Sequence, residues 1–147
     1  MTAFVWSARV YWEDTDGGGV VYYANYLKFF ERARSEWLRA CGHSQLDLAS
    51  DPGVLFSVIE VNIKYRLPAR LDDLLLISCL PALDGAATVI FQQQIHRSNQ
   101  TLDRSPELLA EATVRVACVN AVNFRPRRLP AGIAKELKTL GSAADGR

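Results

Sequence analysis

The chain has 147 residues, with 17 basic and 16 acidic side chains for a formal net charge of +1, and it is 49% hydrophobic and 22% charged. That balance excludes a disordered chain, a fibrous one and a strongly basic nucleic-acid binder. The length predicts one domain, set here at residues 1–140 with a flexible tail over 141–147, large enough to need no disulfide staple.

The N-terminal residues show no basic segment followed by a long apolar run, so no signal peptide is expected. No run of about 18 apolar residues occurs, so no transmembrane segment is expected either. Leu74 to Leu83 comes nearest but is interrupted by Ser78 and Pro81. Cys41, Cys79 and Cys118 are odd in number and scattered, which reads as reduced thiols in a cytoplasmic protein. No C-x-x-C occurs and His43 and His96 lie far apart, so no metal site is expected.

Phe4, Trp6, Ala8 and Val10 alternate with Val5, Ser7, Arg9 and Tyr11 and predict a first strand. Glu13 to Gly19 holds three acids and three glycines and predicts an irregular turn. From about Asn25 to Cys41 the period becomes helical, with Leu27, Phe30, Arg34, Trp37 and Cys41 in one stripe and Phe29, Ala33, Leu38 and Ala40 beside it. Gly42 is a C-terminal stop. A loop through Asp51-Pro52-Gly53 follows, and alternation returns at Val61, Ile63, Tyr65 and Leu67 until Pro68.

A third strand is predicted over about Leu74–Leu80, and Asp84-Gly85 is a hairpin signal into a fourth over about Ala87–His96. After a turn at Ser98-Asn99-Gln100 a fifth strand is predicted over about Leu108–Asn120, with Ala110, Ala112, Val114, Val116 and Cys118 on one face. Pro126 and Pro130 break the chain before a short helix over Ala131–Leu140.

The order β-α-β-β-β-β, with one long apolar helix, predicts an α+β fold in which a curved antiparallel five-stranded sheet wraps the helix. Val5, Tyr11, Ile90 and Val119 then fall on the outer face, which a single protomer leaves uncovered and which points to a homodimer or homotetramer.

The chemistry concentrates in Tyr11-Trp12-Glu13-Asp14-Thr15-Asp16-Gly17-Gly18-Gly19-Val20-Val21-Tyr22-Tyr23-Ala24-Asn25-Tyr26. Glycines before a helix let a ligand approach the backbone, and the first helical N–H groups attract a developing oxyanion. The bland alternative is an acidic, glycine-rich capping turn.

Residues 13–26 of this stretch resemble the active-site loop of hotdog-fold acyl-CoA thioesterases of the 4-hydroxybenzoyl-CoA thioesterase family, especially its Tol–Pal-associated acyl-CoA thioesterase members. The similarity continues through Phe30-Glu31-Arg32-Ala33-Arg34, Tyr65-Arg66-Leu67-Pro68-Ala69-Arg70-Leu71-Asp72-Asp73, Cys118-Val119-Asn120 and Arg125-Pro126-Arg127-Arg128-Leu129-Pro130. The resemblance implies a helix wrapped by a curved antiparallel sheet and hydrolysis of an acyl-CoA to a free acid and CoA, with CoA as part of the substrate and no cofactor. It implies that Asp16 is the catalytic carboxylate, as general base or as nucleophile. It implies that Tyr23 supplies the backbone N–H that polarises the thioester carbonyl. Many Tol–Pal-associated members carry histidine at the position of Tyr23, so the side chain departs from that pattern while the N–H is retained.

Tyr22 and Tyr26 either line an acyl pocket or pack the core. Arg125, Arg127 and Arg128 either contact the CoA phosphates or form a solvated run. Glu31 with Arg34 reads as a structural ion pair, and His43 and His96 as surface or loop residues. The site is expected to lie between two subunits. The alternatives are a non-catalytic acyl-CoA-binding or regulatory hotdog protein, for which no DNA-binding module is present, and a hotdog dehydratase, which calls for a histidine beside the carboxylate.

Overall fold

In the computed structural model the chain is described over residues 3–98 and 105–145, the last five as backbone only. The elements run β1 (Phe4–Arg9), a 3-10 turn (Trp12–Asp14), a second 3-10 turn (Tyr23–Asn25), α1 (Tyr26–Ala40), α2 (Gln45–Ser50), β2 (Val54–Tyr65), β3 (Leu74–Leu83), β4 (Thr88–Arg97), β5 (Glu107–Asn120) and α3 (Ala131–Asp145). The five strands form one antiparallel sheet in the order β1-β3-β4-β5-β2, which packs around α1. This is the sheet curved around one helix that the chain order predicts, and the hotdog arrangement that the resemblance implies.

α1 buries Tyr26, Phe29, Phe30, Ala33, Trp37 and Leu38 against Leu75, Ile77, Phe91, Ile95 and Val114 of the sheet. Each large side chain removed from water contributes on the order of 1.5–3 kcal/mol. The buried face is rotated from the expected stripe. Phe29 and Ala33 lie at its centre, whereas Leu27 is 42% exposed and Arg34 half-buried. Arg34 is turned toward Gln93, the one buried polar side chain of the described core, and donates to its Oε1 at 3.1 Å. Gln93 in turn donates to the Phe30 carbonyl at 3.0 Å and the Ser78 carbonyl at 3.3 Å, tying helix to sheet. The expected Arg34–Glu31 ion pair is replaced by this network. Burial pushes the Arg34 guanidinium down, and Glu31 acts on it only as a counter-charge.

β2 begins at Val54, well before the alternation at Val61 that announces it. The reason is a bulge between Val58 and Glu60, which switches the inward parity from Val54, Phe56 and Val58 to Val61, Ile63 and Tyr65. A strict period of two therefore fails across the strand. β3 continues through Pro81, which faces Phe91 of β4, because β1 reaches only as far as Phe4 opposite Cys79 and needs no N–H from position 81.

α2 was not expected. It is a six-residue turn whose N-cap Ser44 accepts the Asp47 N–H at 3.1 Å. α3 runs to Asp145, beyond the expected end at Leu140. The tail expected over 141–147 falls in part, at residues 146 and 147, outside the described residues, as does the turn expected at Asn99-Gln100.

Val5 is 50% exposed on the outer face as expected, but Val119 is only 6% exposed. The chain doubles back after β5 and runs beside its end, bridging Val119 to Pro126 within the same protomer. Tyr11 lies beyond the end of β1 and is exposed. Cys79 and Cys118 are buried and Cys41 half-buried, all as free thiols. Among the described residues no helix is long and apolar enough to cross a membrane, and no group of three or more His, Cys, Asp or Glu side chains is placed to hold a metal ion.

Candidate active site

The acidic, glycine-rich segment folds back on itself between β1 and α1. The Asp16 N–H donates to the Val20 carbonyl at 2.9 Å, Thr15 bridges Val21, and the Tyr22 N–H donates to the Asp14 carbonyl at 3.0 Å. Gly17 and Gly19 turn the tip at φ +89° and +87°, where a side chain is strained. The returning arm is stitched to the loop after β2: the Val21 N–H donates to the Ala69 carbonyl at 2.8 Å, and the Leu71 N–H to the Gly19 carbonyl at 2.9 Å. That loop is itself held by Arg97, which pairs with Asp73 at 2.9 Å and Glu107 at 3.2 Å and donates to the Pro68 carbonyl at 2.6 Å.

The three carboxylates of the segment differ in employment. Asp14 accepts the Tyr11 N–H at 2.8 Å through Oδ2, and its carbonyl accepts Asn25 Nδ2 at 2.9 Å, so it braces the loop against the helix entrance. Glu13 is exposed. Asp16 is exposed, and its Oδ1 accepts the Gly18 N–H at 2.7 Å, which fixes the orientation of the carboxylate. A β-carbon at Gly18 would sit 3.1 Å from Asp16 Oδ1, so the small residue keeps this contact open.

Tyr23 opens the 3-10 turn that runs directly into α1, so its N–H has no acceptor within that turn. The Tyr22 carbonyl accepts the Asn25 N–H at 2.8 Å. In a trans peptide the C=O and N–H point in opposite directions, so this bond turns the Tyr23 N–H away from the helix. Tyr22 and Tyr23 are 45% and 64% exposed, with ring centroids 4.9 Å apart. Tyr26 is 3% exposed, and its hydroxyl accepts the Ala69 N–H at 3.0 Å.

Tyr65, to which the sequence reading assigns no role, stands beside Tyr23. It is the last residue of β2, its hydroxyl donates to the Tyr23 carbonyl at 2.9 Å, and its ring meets Tyr26 edge-on at 5.1 Å and Tyr23 at 6.4 Å. Its signals in the sequence are its place in the alternating run and at the head of the resembling stretch 65–73, neither of which distinguishes it from a packing residue.

The arginine cluster sits elsewhere. Val54, the first residue of β2, pairs with Asn120, whose N–H donates to the Arg125 carbonyl at 2.8 Å, while Tyr65 at the other end pairs with Ala110. Twelve residues at about 3.3 Å each make roughly 35–40 Å between these ends. Within one protomer Arg125, Arg127 and Arg128 therefore lie at the opposite end of the strand from Tyr23. Arg127 is half-buried and donates to the Pro52 carbonyl at 2.8 Å, whereas Arg125 and Arg128 are exposed.

A cavity of about 430 Å³ on the outer sheet face, among Asn62, Lys64, Gln92, Gln94, Glu111 and Thr113, contains neither Asp16 nor Tyr23. His43 lies in the loop after α1 and His96 on β4, both half-buried.

A long helix wrapped by a curved antiparallel five-stranded sheet is the hotdog arrangement. The thioesterase superfamily matches residues 18–103. The acyl-CoA thioester hydrolase YbgC of Escherichia coli O6:H1 is 43% identical over 137 residues, covering 93% of this chain and 97% of the relative. The acyl-CoA thioesterase YbgC of Haemophilus influenzae is 42% identical over 135 residues, covering 92% and 91%. A probable thioesterase from Bartonella henselae superposes with a TM-score of 0.79 at 38% identity, over 88% of this chain and all of that one. The DHNA-CoA thioesterase of Staphylococcus aureus reaches a TM-score of 0.84 at 20% identity, over 100% and 97%, and shares the fold. The chain belongs to the thioesterase superfamily and is a thioester hydrolase.

Proposed function

We infer that the chain hydrolyses acyl-CoA to a free acid and CoA, with Asp16 as the reacting carboxylate and the Tyr23 N–H as the donor to the carbonyl oxygen. The observation that carries this reading is the Asp16 carboxylate itself. It is exposed, oriented by the Gly18 N–H through one oxygen, and mounted on a loop laddered onto the helix entrance. A fixed N–H aimed at the developing oxyanion lowers the barrier without reorganisation in the transition state. Asp16 then either takes a proton from water as the water attacks the carbonyl carbon, or attacks that carbon itself. In the first route the tetrahedral intermediate then breaks its C–S bond and the departing CoA thiolate takes up the proton held by Asp16; in the second the thiolate of CoA leaves and a mixed anhydride remains for water to open. No metal or organic cofactor enters either route.

The exposure of Asp16, Tyr22 and Tyr23 means that one protomer forms no closed cleft, and we assign the remaining wall to a second copy. β2 is an edge strand of 12 residues carrying Val58, Ile59, Val61 and Tyr65 at 40–54% exposure, a surface that invites pairing. Antiparallel pairing of two β2 edges about a twofold axis brings the Val54 end of one copy beside the Tyr65 end of the other. The partner's Arg125 and Arg128 then stand near Asp16 and Tyr23 and take the CoA phosphates. Release of free thiol from a panel of short, long and aromatic acyl-CoAs tests the reading. Turnover that is lost in Asp16→Asn supports it, and binding of acyl-CoA without thiol release would replace it with the non-catalytic alternative.

A further inference from the structure

We propose that Tyr65 is a positioning residue for the oxyanion donor, acting through the hydrogen bond from its hydroxyl to the Tyr23 carbonyl. The proposal rests on the assignment of Tyr23 just made and adds the side chain that holds it. Two peptide planes meet at the Tyr23 α-carbon. The plane before it carries the Tyr23 N–H and is held by the Tyr22 carbonyl accepting from Asn25. The plane after it carries the Tyr23 carbonyl and the Ala24 N–H, and the Tyr65 hydroxyl binds that carbonyl at 2.9 Å. With both planes held, the Tyr23 φ and ψ are set, and so is the direction of the N–H.

The donor is anchored on the rigid part of the fold. Tyr65 pairs with Ala110 in the sheet, and the next residue, Arg66, donates its N–H to the Leu109 carbonyl at 2.8 Å. Its ring stands edge-on to Tyr26, whose own hydroxyl is held by the Ala69 N–H. The 3-10 turn by contrast is only three residues long, with no buried residue of its own. A short turn of this kind opens easily unless packed structure holds it. Burial and the neighbouring Tyr26 and Tyr23 push the Tyr65 hydroxyl up, so it keeps its proton and remains a donor across the neutral range.

Tyr65→Phe keeps both ring contacts and removes only the hydroxyl. It is compared with wild type and with Asp16→Asn by thiol release from the acyl-CoA panel and by thermal unfolding. The expected result is a kcat lowered by about tenfold, with KM within about twofold and the unfolding midpoint unchanged, because the lost interaction acts on the transition state. An unchanged kcat beside an inactive Asp16→Asn overturns the positioning role and leaves the assignment of Asp16 standing. A fall in kcat matched by a rise in KM or by a lowered midpoint also overturns it, in favour of general support of the loop. A wild-type chain that releases no thiol from any member of the panel, or an Asp16→Asn variant as active as wild type, overturns the underlying assignment and the positioning role with it.

Discussion

The Arg127 guanidinium reaches the Pro52 carbonyl at 2.8 Å across 75 residues of sequence, and the Gly53 carbonyl at 3.4 Å. It clamps the loop before β2 to the turn after β5. Arg127→Ala is expected to destabilise the fold by about 1–3 kcal/mol, the range for a charged donor lost from partly buried carbonyls, with KM for acyl-CoA unchanged. Arg125→Ala and Arg128→Ala are expected to do the opposite, raising KM several-fold at low salt with stability unchanged. The same two variants should lose nothing on acyl-pantetheine, which lacks the nucleotide. Denaturant unfolding and steady-state kinetics on the three variants check this, and a raised KM in Arg127→Ala alone would reverse the assignment.

If the phosphate-binding arginines act across the dimer, defects should complement. Mixed with Arg125→Ala/Arg128→Ala chains, Asp16→Asn chains form heterodimers in which one site keeps both wild-type contributions and the other keeps neither. Random mixing should restore about a quarter of the wild-type sites. Arginines acting on their own protomer's site leave every heterodimer site defective. Activity of co-refolded mixtures, titrated over the mixing ratio, separates the two.

Asp16→Asn is expected to lower kcat by on the order of a hundredfold or more while the chain stays folded, since the carboxylate is exposed and outside the core. Asp14→Asn tests the division of labour between the carboxylates. It weakens the bond to the Tyr11 N–H and is expected to act on loop order, with a smaller loss of kcat than Asp16→Asn. Near-wild-type turnover by folded Asp16→Asn would remove Asp16 from the mechanism.

Tyr26→Phe removes the hydroxyl that accepts the buried Ala69 N–H. Leaving that donor unsatisfied should cost about 1–3 kcal/mol. Urea unfolding measures it, and a variant as stable as wild type would mean that another acceptor replaces the hydroxyl.

Stability should fall above pH 8.5. Burial pushes the Cys79 thiol up to about 12, with Arg34 opposing the shift, and burial also raises Cys41 and Cys118. An unfolded thiol titrates near 8.5. The folded state thus favours the protonated thiol. This contribution is complete below the unfolded value and is lost as pH rises from there toward the folded one, by at most about 1.4 kcal/mol per pH unit for Cys79 and by less for the more solvent-screened Cys41 and Cys118. Urea unfolding under reducing conditions from pH 8 to 10.5 should show the decline, with a shallower slope in Cys79→Ala.

Much of the architecture was legible along the chain. Phe4, Trp6 and Ala8 in β1 and Ala110 to Cys118 in β5 each bury one face of the sheet, and a period of two is all that such a strand needs. The long helix was legible for the same reason at its own period, and the crowding of acids and glycines before it marked the loop that holds Asp16. Periodicity gave way where local geometry changes parity, as at the bulge between Val58 and Glu60, and where an element is too short to show a period, as in α2.

What the sequence alone determined was therefore where most strands and the long helix lie and where the acidic glycine turn precedes that helix, because burial on one face and the left-handed turns at Gly17 and Gly19 are written into local residue types. The tertiary structure decided what each polar group does. Arg34 meets Gln93 and not Glu31, Tyr65 meets Tyr23 across 42 residues, and Arg127 meets Pro52 across 75, contacts between segments whose spacing along the chain carries no trace of them. The physical reason is that a helix or strand pattern needs only a one-dimensional period, whereas a hydrogen-bond partner is chosen by which groups the curved sheet brings within about 3 Å of one another.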